Sequence, residues 1–184
     1  AAHGLAELYR AAKNPEDLEL ALETFNAMVK AYDDPGYGGS QVWGNAVDPA
    51  VFPKRGARDQ GHSMEIIDML TNLLSHHRDA GLEKTVALHA DLVLNTFWNP
   101  DFGINNEYLR HDYSRIPGYD GHMFVGHCIE TLWMIMHHSV RVKNGTIFYM
   151  CKSRIRRFLE LAWDTIYGGL ADENFYVYDI PGHR

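Results

Sequence analysis

Apolar positions recur every three or four residues along most of the chain, and each such stretch predicts a helix. Leu5, Leu8, Tyr9 and Ala12 mark one face of the first. Asn14-Pro15-Glu16-Asp17 then offers a capping side chain, a proline suited to the first helical position and two acids that complement the helix dipole. The helix it opens carries Leu18, Leu22, Phe25, Met28, Val29 and Tyr32 on one side. Further helices are predicted over Met64 to Leu74, Val86 to Phe97, Ile129 to Val140 and Ile147 to Trp163, with Gly81 and Asn144-Gly145 as punctuation. After them, Gly169 to Tyr178 reads as a short strand or hairpin.

The helices come in pairs, and the pairs repeat. Asp34-Pro35-Gly36-Tyr37-Gly38-Gly39 lines up with Asn99-Pro100-Asp101-Phe102-Gly103 and with Asp164-Thr165-Ile166-Tyr167-Gly168-Gly169, each step being 65 residues. Gly61-His62-Ser63-Met64-Glu65 recurs as Gly126-His127-Cys128-Ile129-Glu130 at the same step, as does Trp98 at Trp163. A fainter copy, Ala2-His3-Gly4-Leu5-Ala6, stands 59 residues before the first full one. Two motifs that agree on one offset indicate a helical-repeat architecture, read as one domain with repeats of approximately 1–60, 61–125 and 126–184. The Asp or Asn of each turn motif is expected to shape a turn, with glycines where positive φ is needed.

The repeated Gly-His-x-x-Glu is the candidate chemistry. Residues three apart on a helix share a face, so His127 and Glu130 should point the same way, the carboxylate holding the imidazole in one tautomer. Trp133 and Met134 are expected to continue that stripe as an apolar wall. His62 and Glu65 repeat the geometry, with Asp68 in the place of Trp133, and both histidines should face one common axis. His76, His77, His89, His137 and His138 read as surface or packing residues. Adjacent histidines on a helix diverge by about 100° and find no third ligand at metal spacing, so no metal site is predicted.

Composition narrows the classes. The 184 residues are 46% hydrophobic and 22% charged, as in a globular protein. A formal net charge of −7 argues against nucleic acid or an anionic membrane as partner, and Arg154, Arg156 and Arg157 read as a solvated helix face. Cys128 and Cys151 lie in apolar helical stretches and suit a reducing, cytoplasmic compartment. The longest apolar run, Leu132 to Met136, is far too short to span a bilayer. The chain begins inside a helical pattern and stops after a strand-like run, which reads as part of a longer protein.

Gly126-His127-Cys128-Ile129-Glu130-Thr131-Leu132-Trp133 resembles the Gly-His-x-x-Glu-x-x-Trp pattern of the N-acylglucosamine 2-epimerase family, which includes cellobiose 2-epimerases and aldose–ketose isomerases. Trp163-Asp164-Thr165-Ile166-Tyr167-Gly168-Gly169 looks like that family's Trp-Asp-x-x-Tyr-Gly-Gly segment, and His62 to Glu65 resembles its preceding His-x-x-Glu. The resemblance implies an all-α fold, an (α/α)6 barrel of which this chain supplies about three of six hairpins. It implies a sugar 2-epimerase or isomerase acting on an open-chain aldose through histidine proton transfer at C2, with no metal or redox cofactor. His127 and His62 would be catalytic with Glu130 in support, and Trp133, Glu65 and Arg58 would bind substrate. The family's second histidine lies in a C-terminal segment outside this chain. The partner implied is a small-molecule sugar. A partial ring would expose inner-helix flanks, so self-association into a homo-oligomer is also expected.

Two other readings fit parts of the sequence. A glycoside hydrolase on a similar barrel would need two carboxyl groups across the scissile bond, with Glu65, Asp68, Glu107 and Glu130 as candidates. The other is a non-catalytic carbohydrate-binding or protein-binding helical array; the polar, aromatic segment Asn105 to Arg115 suits the lining of a mouth under any of the three readings.

Overall fold

A computed structural model describes residues 1–36, 56–117 and 120–170, together with the backbone of a strand at Phe175–Tyr176. The described residues are mostly helical and fall into two compact units. One comprises Ala1–Asp59 with Tyr108–Ile116, the other Gln60–Glu107 with Pro117–Arg184.

In the first unit, α1 (Ala2–Ala12) ends at Lys13, which adopts the left-handed conformation and donates its N–H to Tyr9 O at 2.8 Å. Asn14 then caps α2 (Pro15–Asp33) by accepting from the N–H of Glu16. The two helices pack as a hairpin on Ala2, Ala6, Ala21 and Phe25. The apolar face predicted for α1 is thus rotated: Leu8 is 49% exposed, while the small residues Ala2 and Ala6, one turn apart, are buried. A short strand β1 (Arg58–Asp59) pairs antiparallel with β4 (Tyr108–Leu109).

The second unit holds α3 (Gln60–Leu74) and α4 (Ala80–Asp91), the latter running into a π-turn at Leu92–Thr96. Two strands follow, β2 (Trp98–Asn99) and β3 (Ile104–Asn105), joined as a hairpin. Then come β5 (His122–Met123), α5 (Val125–Arg141), α6 (Gly145–Ala162) and β6 (Phe175–Tyr176). β6 pairs with β5, so the strand expected near the end of the chain is present in its backbone. α3 packs on α5, α3 on α4, and α5 on α6.

The 65-residue step is visible in the hydrogen bonding. Asn14, Asp79 and Asn144 stand one step apart, and each caps a helix by accepting backbone N–H groups. Asp34, Asn99 and Asp164 also stand one step apart, and each accepts from the N–H two residues on, at Gly36, Asp101 and Ile166. The core follows the same step: Ser63, Ile66, Ile67, Met69 and Leu70 of α3 are buried, and so are Cys128, Thr131, Leu132, Met134 and Ile135 of α5. In this register Ala2 corresponds to Ile67 and Leu132, and all three are buried. Tyr37 to Gly39 of the first turn motif lies outside the described residues.

Arg154 departs from the solvated face expected of it. Its guanidinium lies 3.9 Å from the ring centroid of Trp98 and donates to Leu94 O at 2.7 Å. Among the described residues no helix is long and apolar enough to cross a membrane.

Candidate active site

Both histidines of the repeated motif occupy the same place on their helices. Each helix begins earlier than its apolar pattern suggested, so His62 is the third residue of α3 and His127 the third of α5. The N-terminal end of α5 is formed at Phe124, whose carbonyl accepts the N–H of Cys128 at 2.9 Å. The ring of Phe124 lies between His122 and His127, 5.2 and 5.3 Å from each by centroid.

The carboxylate hydrogen-bonded to the imidazole is not the one the helical spacing suggested. His127 Nδ1 is 2.6 Å from Glu107 Oε1. Glu107 is fully buried, whereas the His127 side chain is 38% exposed. Glu130 is exposed instead, on a stripe of α5 that runs through Gly126, Glu130, Trp133, His137 and Val140 at alternating three- and four-residue steps. Trp133 is 48% exposed on that stripe. Met134, expected to share its wall, is 8% exposed and belongs to the core, because neighbouring helical residues point about 100° apart.

Glu107 reaches this place through the β2–β3 hairpin. Gly103 turns the chain with φ at 67°, and its N–H donates to Asn99 O at 2.9 Å. Three buried asparagines then pin the hairpin. Asn99 donates to the side chain of Asn106 and to Asp120 O, Asn105 donates to Val93 O, and the Asn106 N–H donates to Phe97 O. The backbone of Glu107 itself is held on both sides. Its N–H donates to His122 O at 3.3 Å, and its carbonyl accepts from the Gln60 N–H at 2.9 Å.

Behind the imidazole lies a buried polar seam. Gln60 Nε2 donates to Cys128 Sγ at 3.8 Å, and that thiol donates to Asn105 O at 3.7 Å. Burial, with the Glu107 carboxylate adding to it, pushes the Cys128 thiol well above its ordinary value. The thiol therefore stays protonated at neutral pH and serves as packing and hydrogen-bond donor, not as a nucleophile.

The remaining predicted residues are placed as follows. Glu65 is exposed on α3, and His62 is partly exposed beside it. Ser63, between them and the core, hydrogen-bonds His89 Nδ1 at 3.1 Å. Arg58 belongs to the first unit, where it donates to Asp33 Oδ1, Tyr32 O and His111 O and lies over the Tyr113 ring. In the sequence Glu107 is one of several candidate acids, and nothing local connects it to His127. Its signal was indirect: a lone acid among asparagines, just after a repeated turn.

No protein-family model and no curated protein matches this chain. Solved structures do. Cellobiose 2-epimerase from Bacillus thermoamylovorans B4167 matches with a TM-score of 0.72 at 18% identity, over 94% of this chain and 46% of its own. A sugar epimerase from a ruminal bacterium gives 0.67 at 15%, over 92% and 45%. A D-mannose isomerase gives 0.68 at 14%, over 96% and 49%. The chain thus spans about half the length of these structures and shares its fold with that half.

Proposed function

We propose that the protein is a carbohydrate epimerase or aldose–ketose isomerase that moves the proton at C2 of an open-chain sugar, with His127 as an acid–base group. The observation that carries this reading is a partly exposed imidazole, bonded to a buried carboxylate, at the helix end of a fold shared with sugar epimerases and a mannose isomerase. A proton next to a carbonyl calls for a base that titrates near neutral pH, and imidazole does so at about 6.5. Returning the proton to the other face of C2 inverts the centre; delivering it to C1 gives the ketose. His62, at the matching position of α3, is the second candidate of this chain. Glu130, Trp133 and Glu65 offer exposed polar and aromatic surface to a sugar. Arg58 is assigned to substrate less readily, because its guanidinium already serves Asp33 and two carbonyls. Hydrolysis of a glycoside is disfavoured by Glu107, which is buried against an imidazole instead of facing another carboxyl across a bond.

The test is incubation of the intact protein with glucose, mannose, cellobiose and N-acetylated hexosamines in heavy water. Proton NMR should show loss of the C2 hydrogen signal and growth of the epimer or ketose. His127→Ala should abolish exchange. Exchange that survives that substitution removes His127 from the mechanism, and no exchange on any aldose removes the activity.

A further inference from the structure

We infer that Glu107 is the positioning residue of the site, the group that sets which nitrogen of His127 can take a proton. This rests on the acid–base role proposed for His127. A carboxylate can only accept, so the ring proton facing Glu107 Oε1 sits on Nδ1. Nε2 then carries the lone pair in the neutral ring and is the atom able to act on a substrate.

Several observations support a built arrangement over a chance contact. The bond is short, 2.6 Å, and the carboxylate is wholly out of water. Desolvating a carboxylate is costly unless a partner compensates. Among the described residues Glu107 Oε2 has no hydrogen-bond partner, so His127 is the side chain that offsets the burial of this carboxylate. The backbone on either side of it is pinned, by Gln60 and His122 and by the asparagines of the preceding hairpin, so the carboxylate cannot drift from the ring.

The sequence repeat adds an independent argument. The residue one step before Glu107 is Val42, so His62 has no carboxylate at the corresponding place in the chain. The two histidines are related by the repeat, but the sequence places a carboxylate at this repeat position ahead of His127 only.

The direct test is nitrogen-15 NMR of the His127 ring in the intact protein. Nδ1 should carry a proton in the neutral ring as well as in the charged one. A lone pair on Nδ1 overturns the assignment. Glu107→Gln keeps the shape, removes the charge and allows an N–H to face Nδ1. It should move the proton to Nε2 and lower kcat for C2 exchange by about a hundred-fold or more with KM little changed. Glu107→Asp, which retains the charge, should recover part of that loss, and Glu130→Gln should leave Nδ1 protonated. A Glu107→Gln protein that loses activity while Nδ1 keeps its proton would make the residue structural only and sink the inference. If no aldose exchanges at all, the proposed activity falls, while the ring spectrum still decides the role of Glu107.

Discussion

Arg141 donates from one guanidinium nitrogen to Nδ1 of His138 across 3.2 Å. Arginine cannot accept, so Nδ1 must, and the ring proton lies on Nε2. His138 is 5% exposed at the C-terminal end of α5, and the same guanidinium makes two parallel bonds of 2.6 Å to Glu83 on α4. The arrangement ties two helices together and requires a neutral imidazole.

That requirement predicts a pH dependence. Burial, with Arg141 adding to it, holds His138 below the ordinary histidine value; Glu83 opposes the shift, and His137 adds slightly to it. A histidine depressed in the fold contributes stability above its unfolded value of about 6.5, and that contribution is lost as the pH falls from there through the folded value. Urea midpoints taken from about pH 8 down to about pH 5 should decline more steeply for the wild type than for His138→Gln. Parallel declines would show that His138 does not titrate in this way.

The repeated caps predict a matched pair of stability losses. Asn144→Ala should cost about 1 kcal/mol, because the first-turn N–H of Ile147 loses its acceptor, whereas Asn144→Asp should cost little. Asn14→Ala should behave alike in the other unit, through Glu16. Denaturation midpoints check both, and an Asn144→Ala protein indistinguishable from wild type would mean that the cap contributes nothing.

Two glycines should respond differently to the same change. At Gly103, φ is 67° and an added Cβ would meet only Arg157 Nε at 3.6 Å, so Gly103→Ala should cost just the left-handed strain, about 1–2 kcal/mol. At Gly56, φ is 79° and a Cβ would lie 2.4 Å from the Pro35 carbonyl oxygen, a backbone atom that cannot swing aside. Gly56→Ala should therefore be clearly the more destabilising in a thermal melt. Gly103→Asn should be milder than Gly103→Ala, since asparagine tolerates that region better. The reverse order at position 56 and position 103 would contradict the turn geometry described here.

What could be read from the chain without coordinates was whatever neighbouring residues decide between themselves. The 65-residue period, the cap at Asn14, the Asx turns at Asp34, Asn99 and Asp164, and the helical stretches all depend on groups a few positions apart. Helix starts were harder. The apolar pattern begins only where α3 and α5 enter the core, while their first turns carry His62 and His127 at the edge. The buried face of α1 carries Ala2 and Ala6 and leaves Leu8 exposed, a choice made by tertiary packing and not by local spacing.

The partner of His127 lay beyond any local rule. Helical spacing nominated Glu130, which is near on the helix but faces out, where solvent competes for its charge. Glu107 is twenty residues away in the chain, and the reversal at Gly103 together with three buried asparagines brings it to the ring. A carboxylate removed from water binds its one donor more strongly than an exposed one does, so folding decided which acid the imidazole would take.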